Sequence, residues 1–241
     1  MKKTIITLLA LAGIASAEEV TTNLMPTDYT WKTYTATEPA WPSLDWYQLT
    51  EDNIETSLGL LGATETGSYA FNHTGTNQAS TGQVAISDSG DLVLTGRNGL
   101  AAVQTLFAQI VSVDSLLGGY SISNLGALTL NVDYTTTSGS DGWVGLYVLD
   151  NSNQLTTIQQ VNVENEACDL RTGDSTSISM TTTQISNLDT SDKLVILFRE
   201  GSAGKTTTIT GLSATVNIPE PTTATLSLLA LAGLAARRRR K

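Results

Sequence analysis

The 241-residue sequence predicts an all-β fold, an antiparallel two-sheet sandwich that is jelly-roll-like. Three observations lead to this prediction. Short segments with strand patterns follow one another from Ser68 onward, and clusters of Gly, Asn, Asp and Ser separate them. Threonine and serine are abundant, with 38 and 22 copies, and β-branched hydroxyl residues suit an exposed sheet face. A single domain of about 200 residues is an ordinary size for a sandwich.

Nine segments have strand character. They are 68–72, 83–86, 92–95, 127–134, 143–150, 155–163, 177–180, 193–199 and 206–216. Segment 127–134 alternates apolar and polar residues, which predicts one buried and one exposed face. Segment 194–198 is continuously apolar, as expected for a strand covered on both sides. In a jelly roll, the final strand ending at Val216 would lie near the early strands.

Two regions do not follow this pattern. Segment 100–113 has apolar residues at helical spacing, yet its odd-numbered positions also alternate as in a strand, so the sequence leaves helix and strand open. Segment 18–61 is rich in aromatic residues and interrupted by Pro39 and Pro42, which argues against a central strand. We therefore divide the chain into a signal peptide (1–17), an aromatic-rich segment packing on the sandwich (18–61), the sandwich (62–218) and a C-terminal segment (219–241).

Composition excludes several classes of function. The chain has one histidine, His73, and one cysteine, Cys168, so a disulfide scaffold and a zinc site of several His or Cys ligands are excluded. Between residues 18 and 218 there are 22 acidic and 6 basic side chains, a net charge of −16. Nucleic acid is therefore excluded as a partner, because such binding depends on attraction to phosphates.

The N-terminus has the three parts of a secretory signal peptide. Lys2 and Lys3 are basic, residues 4–14 are apolar, and Ala15 and Ala17 occupy the small-residue positions of a signal-peptidase site. We predict that signal peptidase cleaves before Glu18, which places the following domain outside the cytoplasm.

The C-terminal segment also has three parts. Pro219, Glu220 and Pro221 come first, and an uncharged apolar run over 222–236 follows. A basic cluster ends the chain: Arg237, Arg238, Arg239, Arg240 and Lys241. A helix over the apolar run would be about 22 Å long, and arginines that reach the interface would help it to cross a core of about 30 Å. The sequence predicts a transmembrane helix whose basic end is cytoplasmic.

Pro-Glu-Pro, a short Leu/Ala/Gly helix and a terminal arginine cluster resemble the PEP-CTERM sorting signal of Gram-negative bacteria. The resemblance covers residues 219–241 and implies nothing about the fold before them. It implies that an exosortase recognises the chain and cleaves it near Pro219, Glu220 and Pro221. The helix would then be in the inner membrane transiently, and the domain would reach the outer envelope or the extracellular space. A permanent tail anchor is the alternative.

Two kinds of binding site are predicted in the exported part of the chain, residues 18–218. Trp41, Trp46 and Trp143 are large flat rings on which a glycan could stack, and Trp143 follows a turn that could place it at a sheet edge. Hard oxygen ligands for calcium are offered by two sets of loop residues: Asp150, Asn151 and Asn153, or Asp189 and Asp192. The same loop residues are common turn formers, so the expected resident cofactor is none, with calcium as the alternative.

Catalysis would require two acidic groups at a set separation. The candidate pairs are Asp88 with Asp91, Glu164 with Glu166, and Asp189 with Asp192. Each pair lies in a short polar turn or at a strand end. We expect an exported, non-catalytic protein of the cell envelope or extracellular matrix, with a carbohydrate-binding module as the alternative and a glycoside hydrolase as the third candidate.

Overall fold

The computed structural model describes residues 18–34, 64–73, 83–96, 105–140, 142–159, 174–202 and 204–218. These residues form two sheets that share one hydrophobic core. Sheet A contains β1 (Glu18–Asn23), β4 (Gln83–Ile86), β5 (Leu92–Thr95), β7 (Ala127–Thr136), β10 (Ser175–Ser179) and β12 (Thr206–Ile218). Sheet B contains β2 (Thr30–Tyr34), β3 (Gly67–His73), β6 (Thr105–Ser112), β8 (Gly142–Leu149), β9 (Leu155–Gln159) and β11 (Lys193–Glu200).

The strand order is that of a jelly roll. Sheet A has the order β10-β7-β12-β5-β4, with β1 also paired to β12, and sheet B has the order β2-β3-β6-β11-β8-β9. Within these sheets, β5-β12-β7-β10 and β6-β11-β8-β9 are the two four-stranded layers expected when eight consecutive strands form two interleaved Greek keys. The predicted fold class is therefore confirmed. The pairing is antiparallel except between β2 and β3, which run parallel.

Strand β7 shows why the alternating segments were predictable. Leu128, Leu130 and Val132 are buried, whereas Thr129 and Asn131 lie on the partly exposed outer face. Strand β12 pairs with β7 along one side and with β1 and β5 along the other. The final strand thus lies beside early strands, as the sequence predicted.

Strands β8 and β11 are buried on both faces. The side chain of Glu200 contacts Thr207 of sheet A, so alternation places Phe198 on the inner face of sheet B and Leu197 and Arg199 on the outer face. Phe198, Leu197 and Arg199 are 0%, 3% and 2% exposed. The prediction that the continuously apolar strand β11 is covered on both faces is therefore confirmed.

Segment 105–112 is a strand, which resolves the ambiguity for the described part of 100–113. Strand β6 is paired on one side with β3 and on the other with β11, and these ladders override the helical spacing. A short helix, α1 (Val113–Leu116), follows, and Ser112 caps it by accepting a hydrogen bond from Ser115 N at 3.1 Å.

The N-terminal segment contributes strands to both sheets. Strand β1 joins sheet A, and β2 is the edge strand of sheet B. Residues 18–34 are thus part of the sandwich itself, and residues 35–61 lie outside the described residues.

Candidate functional site

The first and last described residues lie opposite each other in sheet A. Strands β1 and β12 are antiparallel, and their register pairs Glu18 with Ile218 and Glu19 with Asn217. We call these four residues the terminal junction. The predicted signal-peptidase site precedes Glu18, and the Pro-Glu-Pro sequence follows Ile218. The fold therefore brings both predicted processing points to one end of the same strand pair.

Two hydrogen bonds from neighbouring residues hold the terminal junction. Gly126 N donates a 2.8 Å hydrogen bond to Asn217 O, and the Tyr120 hydroxyl donates to the Glu18 carboxylate. The bond to Glu18 raises the pKa of Tyr120, because it favours the protonated phenol, and desolvation acts in the same direction. Further along the pair, the hydroxyl oxygens of Thr21 and Thr215 are 3.2 Å apart.

The two strands of this pair differ in how far their side chains are buried. Ile218 is 6% exposed, and Val216 is fully buried. In contrast, β1 has exposed side chains at Glu18, Glu19, Thr21 and Asn23, and its ladder runs along β12. A short, largely exposed edge strand opens at lower free energy than a central one.

Trp143, which we predicted as a glycan platform, is buried. Trp143 lies opposite Arg199 of β11, and the residue is 3% exposed. The Arg199 guanidinium carbon is 5.8 Å from the centre of this ring. A β-carbon at Gly145 would be 2.8 Å from Tyr147 and 2.9 Å from Trp143, so glycine is needed for the two rings to lie on this face. Trp41 and Trp46 lie outside the described residues.

Trp31, by contrast, is an exposed aromatic side chain that sequence reasoning missed. It lies on edge strand β2, is 41% exposed, and its ring centre is 6.4 Å from that of Tyr29. Tyr29 is anchored by a 2.6 Å hydrogen bond from its hydroxyl to Val84 O. The signal that could have found Trp31 is its place in Thr-Trp-Lys-Thr-Tyr, a short run of β-forming residues between Pro26 and Pro39.

A buried polar cluster connects the two sheets. Glu200 is fully buried, and its carboxylate accepts hydrogen bonds from Thr207 Oγ1 at 2.6 Å, from Ser202 N at 2.8 Å and from the Ser140 hydroxyl. The Ser140 and Thr207 hydroxyl oxygens are 2.9 Å apart. These contacts satisfy several acceptor positions of a charge that would otherwise be costly to bury.

The structure brings the two predicted calcium loops together. Asn151 Nδ2 donates a 2.6 Å hydrogen bond to Ser191 Oγ, which joins the β8–β9 turn to the loop before β11. Within its own turn, Asp150 Oδ1 accepts from Ser152 N and Gln154 N, both at 2.8 Å. Asn153 has a positive φ of 58°, as turn asparagines often do. The described residues contain no cluster of three or more His, Cys, Asp or Glu side chains suited to a metal, and calcium binding stays a prediction.

Asp189 and Asp192 also stabilise their own loop. Asp189 Oδ1 accepts from Ser191 N at 3.0 Å and from Ser191 Oγ at 2.8 Å, while Asp192 Oδ2 accepts from Asp189 N at 2.7 Å. The bonds from Ser191 lower the pKa of Asp189, because they favour the ionised form. Such a carboxylate is unsuited to act as a general acid near neutral pH.

Asp91, of the candidate pair Asp88 and Asp91, has a similar role. Its Oδ2 accepts from Ser89 Oγ at 2.6 Å, and Ser87 N donates to Asp91 O at 2.9 Å, so the residue closes the β4–β5 turn. Its partner Asp88 is exposed in that turn. Glu164 and Glu166 lie outside the described residues.

Several predicted residues fall outside the part of the chain that the structure describes. They are Ala15, Ala17, Cys168, Pro219, Glu220, Pro221, Arg237, Arg238, Arg239 and Arg240. His73 is the last residue of β3. Among the described helices none is long and apolar enough to cross a membrane, and the predicted helix over 222–236 is not within the described ranges.

Residues 217–241 match the family model described as the PEP-CTERM protein-sorting motif. This confirms the resemblance of the C-terminal segment, and the motif marks the chain as an exported protein that an exosortase system processes at the membrane. The match begins at Asn217, which is still part of β12 and of the terminal junction. No curated protein sequence matches the chain at a significant level.

Solved structures with similar folds include carbohydrate-binding modules. The xylan-binding module CBM15 is 11% identical, with 66% of this chain and 95% of that chain covered and a TM-score of 0.37. The CBM22-1 xylan-binding domain of Paenibacillus barcinonensis Xyn10C is 10% identical, with 66% and 92% covered and a TM-score of 0.34. A CBM4 structure is 15% identical, with 57% and 90% covered and a TM-score of 0.36. Similarities at this level carry no conclusion about a ligand.

Proposed function

We propose that this protein is a non-catalytic β-sandwich that signal peptidase and then an exosortase process, and that it ends in the outer envelope or the extracellular matrix. The observation that carries the proposal is the position of the sorting motif. The family match begins within the last strand of the sandwich, so the folded domain is joined to the sorting segment without a linker.

The chemistry of the described residues supports a non-catalytic role. The carboxylates of Asp91, Asp189 and Asp192 are engaged in their own turns, and that of Glu200 is buried in a network that joins the sheets. An acidic exterior and a hydroxyl-rich face suit a protein that stays soluble outside the cell. No resident cofactor is part of the proposal.

Two classes of variant test the sorting mechanism in a host with an exosortase. In the first, Arg237, Arg238, Arg239 and Arg240 are all changed to Gln. Each charge costs about 2.5 to 3.5 kcal/mol at a bilayer centre, so its loss removes the barrier that keeps the tail from crossing. All chains carry an epitope tag after Lys241. We expect this variant to leave the membrane fraction with that tag still attached.

In the second class, Pro219→Ala and Pro221→Ala leave the hydrophobic run intact but change the recognition sequence. We expect these chains to stay uncut in the membrane fraction, while Pro39→Ala, a proline outside the segment, is processed normally. If the arginine-free chain matures at the same site and rate as the parent, the hypothesis that sorting depends on the charge of the basic cluster is wrong.

A second candidate function is glycan binding, and the observation that favours it is Trp31. An exposed indole ring supported by Tyr29 is a suitable surface on which a sugar ring could stack. On a glycan array with calcium present, Trp31→Ala should lose at least about tenfold in affinity, a loss of about 1.4 kcal/mol. Tyr120→Ala, which removes the second exposed large ring among the described residues, should bind as the parent does. No binding by the parent protein would remove this candidate, together with Trp41 and Trp46 as glycan residues.

A further inference from the structure

We propose that β1 is a clasp that holds the end of β12 closed and thereby slows removal of the C-terminal segment. This inference rests on the proposed function, because it concerns the rate of exosortase processing. It starts from the register of β1 and β12, which pairs the first residue after the predicted signal-peptide cleavage, Glu18, with the last residue before the Pro-Glu-Pro sequence, Ile218.

The distance between the sheet and the membrane is short. Three residues, 219–221, separate Ile218 from the apolar run that starts at Thr222. Three extended residues span at most about 10 Å. While the tail is in the membrane, the end of β12 is therefore held next to the bilayer, and a membrane protease has to cut within or beside this short connection.

The last residues of β12, which precede this connection, are paired with another strand on each side. Along one side, β12 pairs with β7 as far as Asn217. Along the other side, it pairs with all six residues of β1, from Asn23 opposite Ser213 to Glu18 opposite Ile218. A chain that recognises an extended peptide by strand addition needs one free edge of that peptide. Residues 213–217 have no such free edge while β1 is paired.

Strand β1 is the partner that can open. Its side chains at Glu18, Glu19, Thr21 and Asn23 are exposed, and it is at the edge of the sheet, whereas β7 is central and has a buried inner face. Separation of β1 would expose one edge of residues 213–218 and leave the β12–β7 ladder intact. The family match, which starts at Asn217, overlaps this edge.

A reversible cross-link tests the clasp. Thr21 and Thr215 are directly opposite each other on the outer face, with hydroxyl oxygens 3.2 Å apart, so Thr21→Cys with Thr215→Cys is suited to form a disulfide. The matched control is Thr129→Cys with Ser179→Cys, a pair on the same face of sheet A whose hydroxyl oxygens are 3.0 Å apart. All variants carry Cys168→Ser so that no third thiol is present.

Loss of a C-terminal tag is followed by pulse-chase in a host with an exosortase. We expect the Thr21–Thr215 cross-link to slow tag loss by at least about tenfold, because the edge strand can no longer open. Dithiothreitol should restore the parental rate, and the Thr129–Ser179 cross-link should have no effect. Equal rates for the two cross-linked variants would overturn the clasp and leave the sorting function standing. If the parent also keeps its tag, both the clasp and the proposed function are wrong.

Discussion

The outer faces of the two sheets differ in polarity and in solvent exposure. On sheet A the outer face carries short polar side chains that bond across the strands, such as Thr129 with Ser179 at 3.0 Å and Asn131 with Thr215 at 3.1 Å. On sheet B, Trp143 of β8 and Leu197 of β11 lie on the outer face and are each 3% exposed. The burial of these residues does not come from sheet A, because they point away from it.

This difference shows how much a strand's pattern says about its surroundings. An alternating strand such as β7 has one face in the core and one in solvent, and the sequence shows this directly. A continuously apolar strand such as β11 is covered on both sides. Its sequence indicates that both faces are buried, but it does not identify the residues that cover them.

The largest expected effect is the loss of stability when a buried leucine is shortened on either sheet. Leu197→Ala, on the outer face of sheet B, and Leu130→Ala, on the inner face of sheet A, should each lower the free energy of unfolding by about 2 to 5 kcal/mol. Both side chains are almost fully buried, so both substitutions leave a cavity. Urea unfolding measures the effect. If Leu197→Ala stays within about 0.5 kcal/mol of the parent, the outer face of sheet B is not core.

The next effect concerns the polar contact between the sheets. Glu200→Gln should lower the free energy of unfolding by about 1 to 3 kcal/mol, because an amide cannot accept all the hydrogen bonds that the buried carboxylate receives from Thr207, Ser202 and Ser140. The control is Glu65→Gln, whose exposed carboxylate is 3.9 Å from Lys193 and should contribute less than about 1 kcal/mol. Equal costs for the two variants would contradict the role of Glu200.

A smaller effect is expected on the outer face of sheet A. Thr129→Ala removes a hydroxyl that bonds to Ser179 at the surface, where water replaces the lost partner. Cross-strand pairs of this kind contribute about 0.2 to 1 kcal/mol, so the free energy of unfolding should fall by no more than that. A loss above about 2 kcal/mol would mean that this face is covered, and the contrast between the two sheets would disappear.

The jelly roll could be predicted because most of its strands carry their own signal. The alternation in β7 and the apolar run in β11 identified both strands, and the position of β12 beside early strands followed from the fold class. The strand at 105–112 could not be assigned, because the ladders with β3 and β11 that decide it connect residues far apart in sequence.

The candidate site was less predictable than the fold. The sequence contained both terminal signals, yet the pairing of Glu18 with Ile218 depends on a register across 200 positions that no local pattern encodes. The burial of Trp143 was missed for a related reason: a tryptophan after a turn has the same local sequence whether other parts of the chain cover its side chain or leave it exposed.

The smallest effect is a pH dependence at the loop end of the sandwich. Hydrogen bonds from Ser191 lower the pKa of Asp189 in the folded state, so the ionised carboxylate stabilises the fold above the ordinary pKa of 3.8, and this contribution is lost as the pH falls through the lowered value. Asp189→Asn should therefore show a smaller fall in Tm between pH 5 and pH 2.5 than the parent. Asp88→Asn, in an exposed turn, is the control. An unchanged acid-side slope in Asp189→Asn would contradict this assignment.

The most direct test of the whole account is the intact mass of the protein recovered outside the membrane from a host that contains an exosortase. We predict a single chain that begins at Glu18, the first residue of β1, and ends near Pro219, Glu220 and Pro221, without the basic cluster. An exported species that still begins at Met1 or still ends at Lys241 would contradict it.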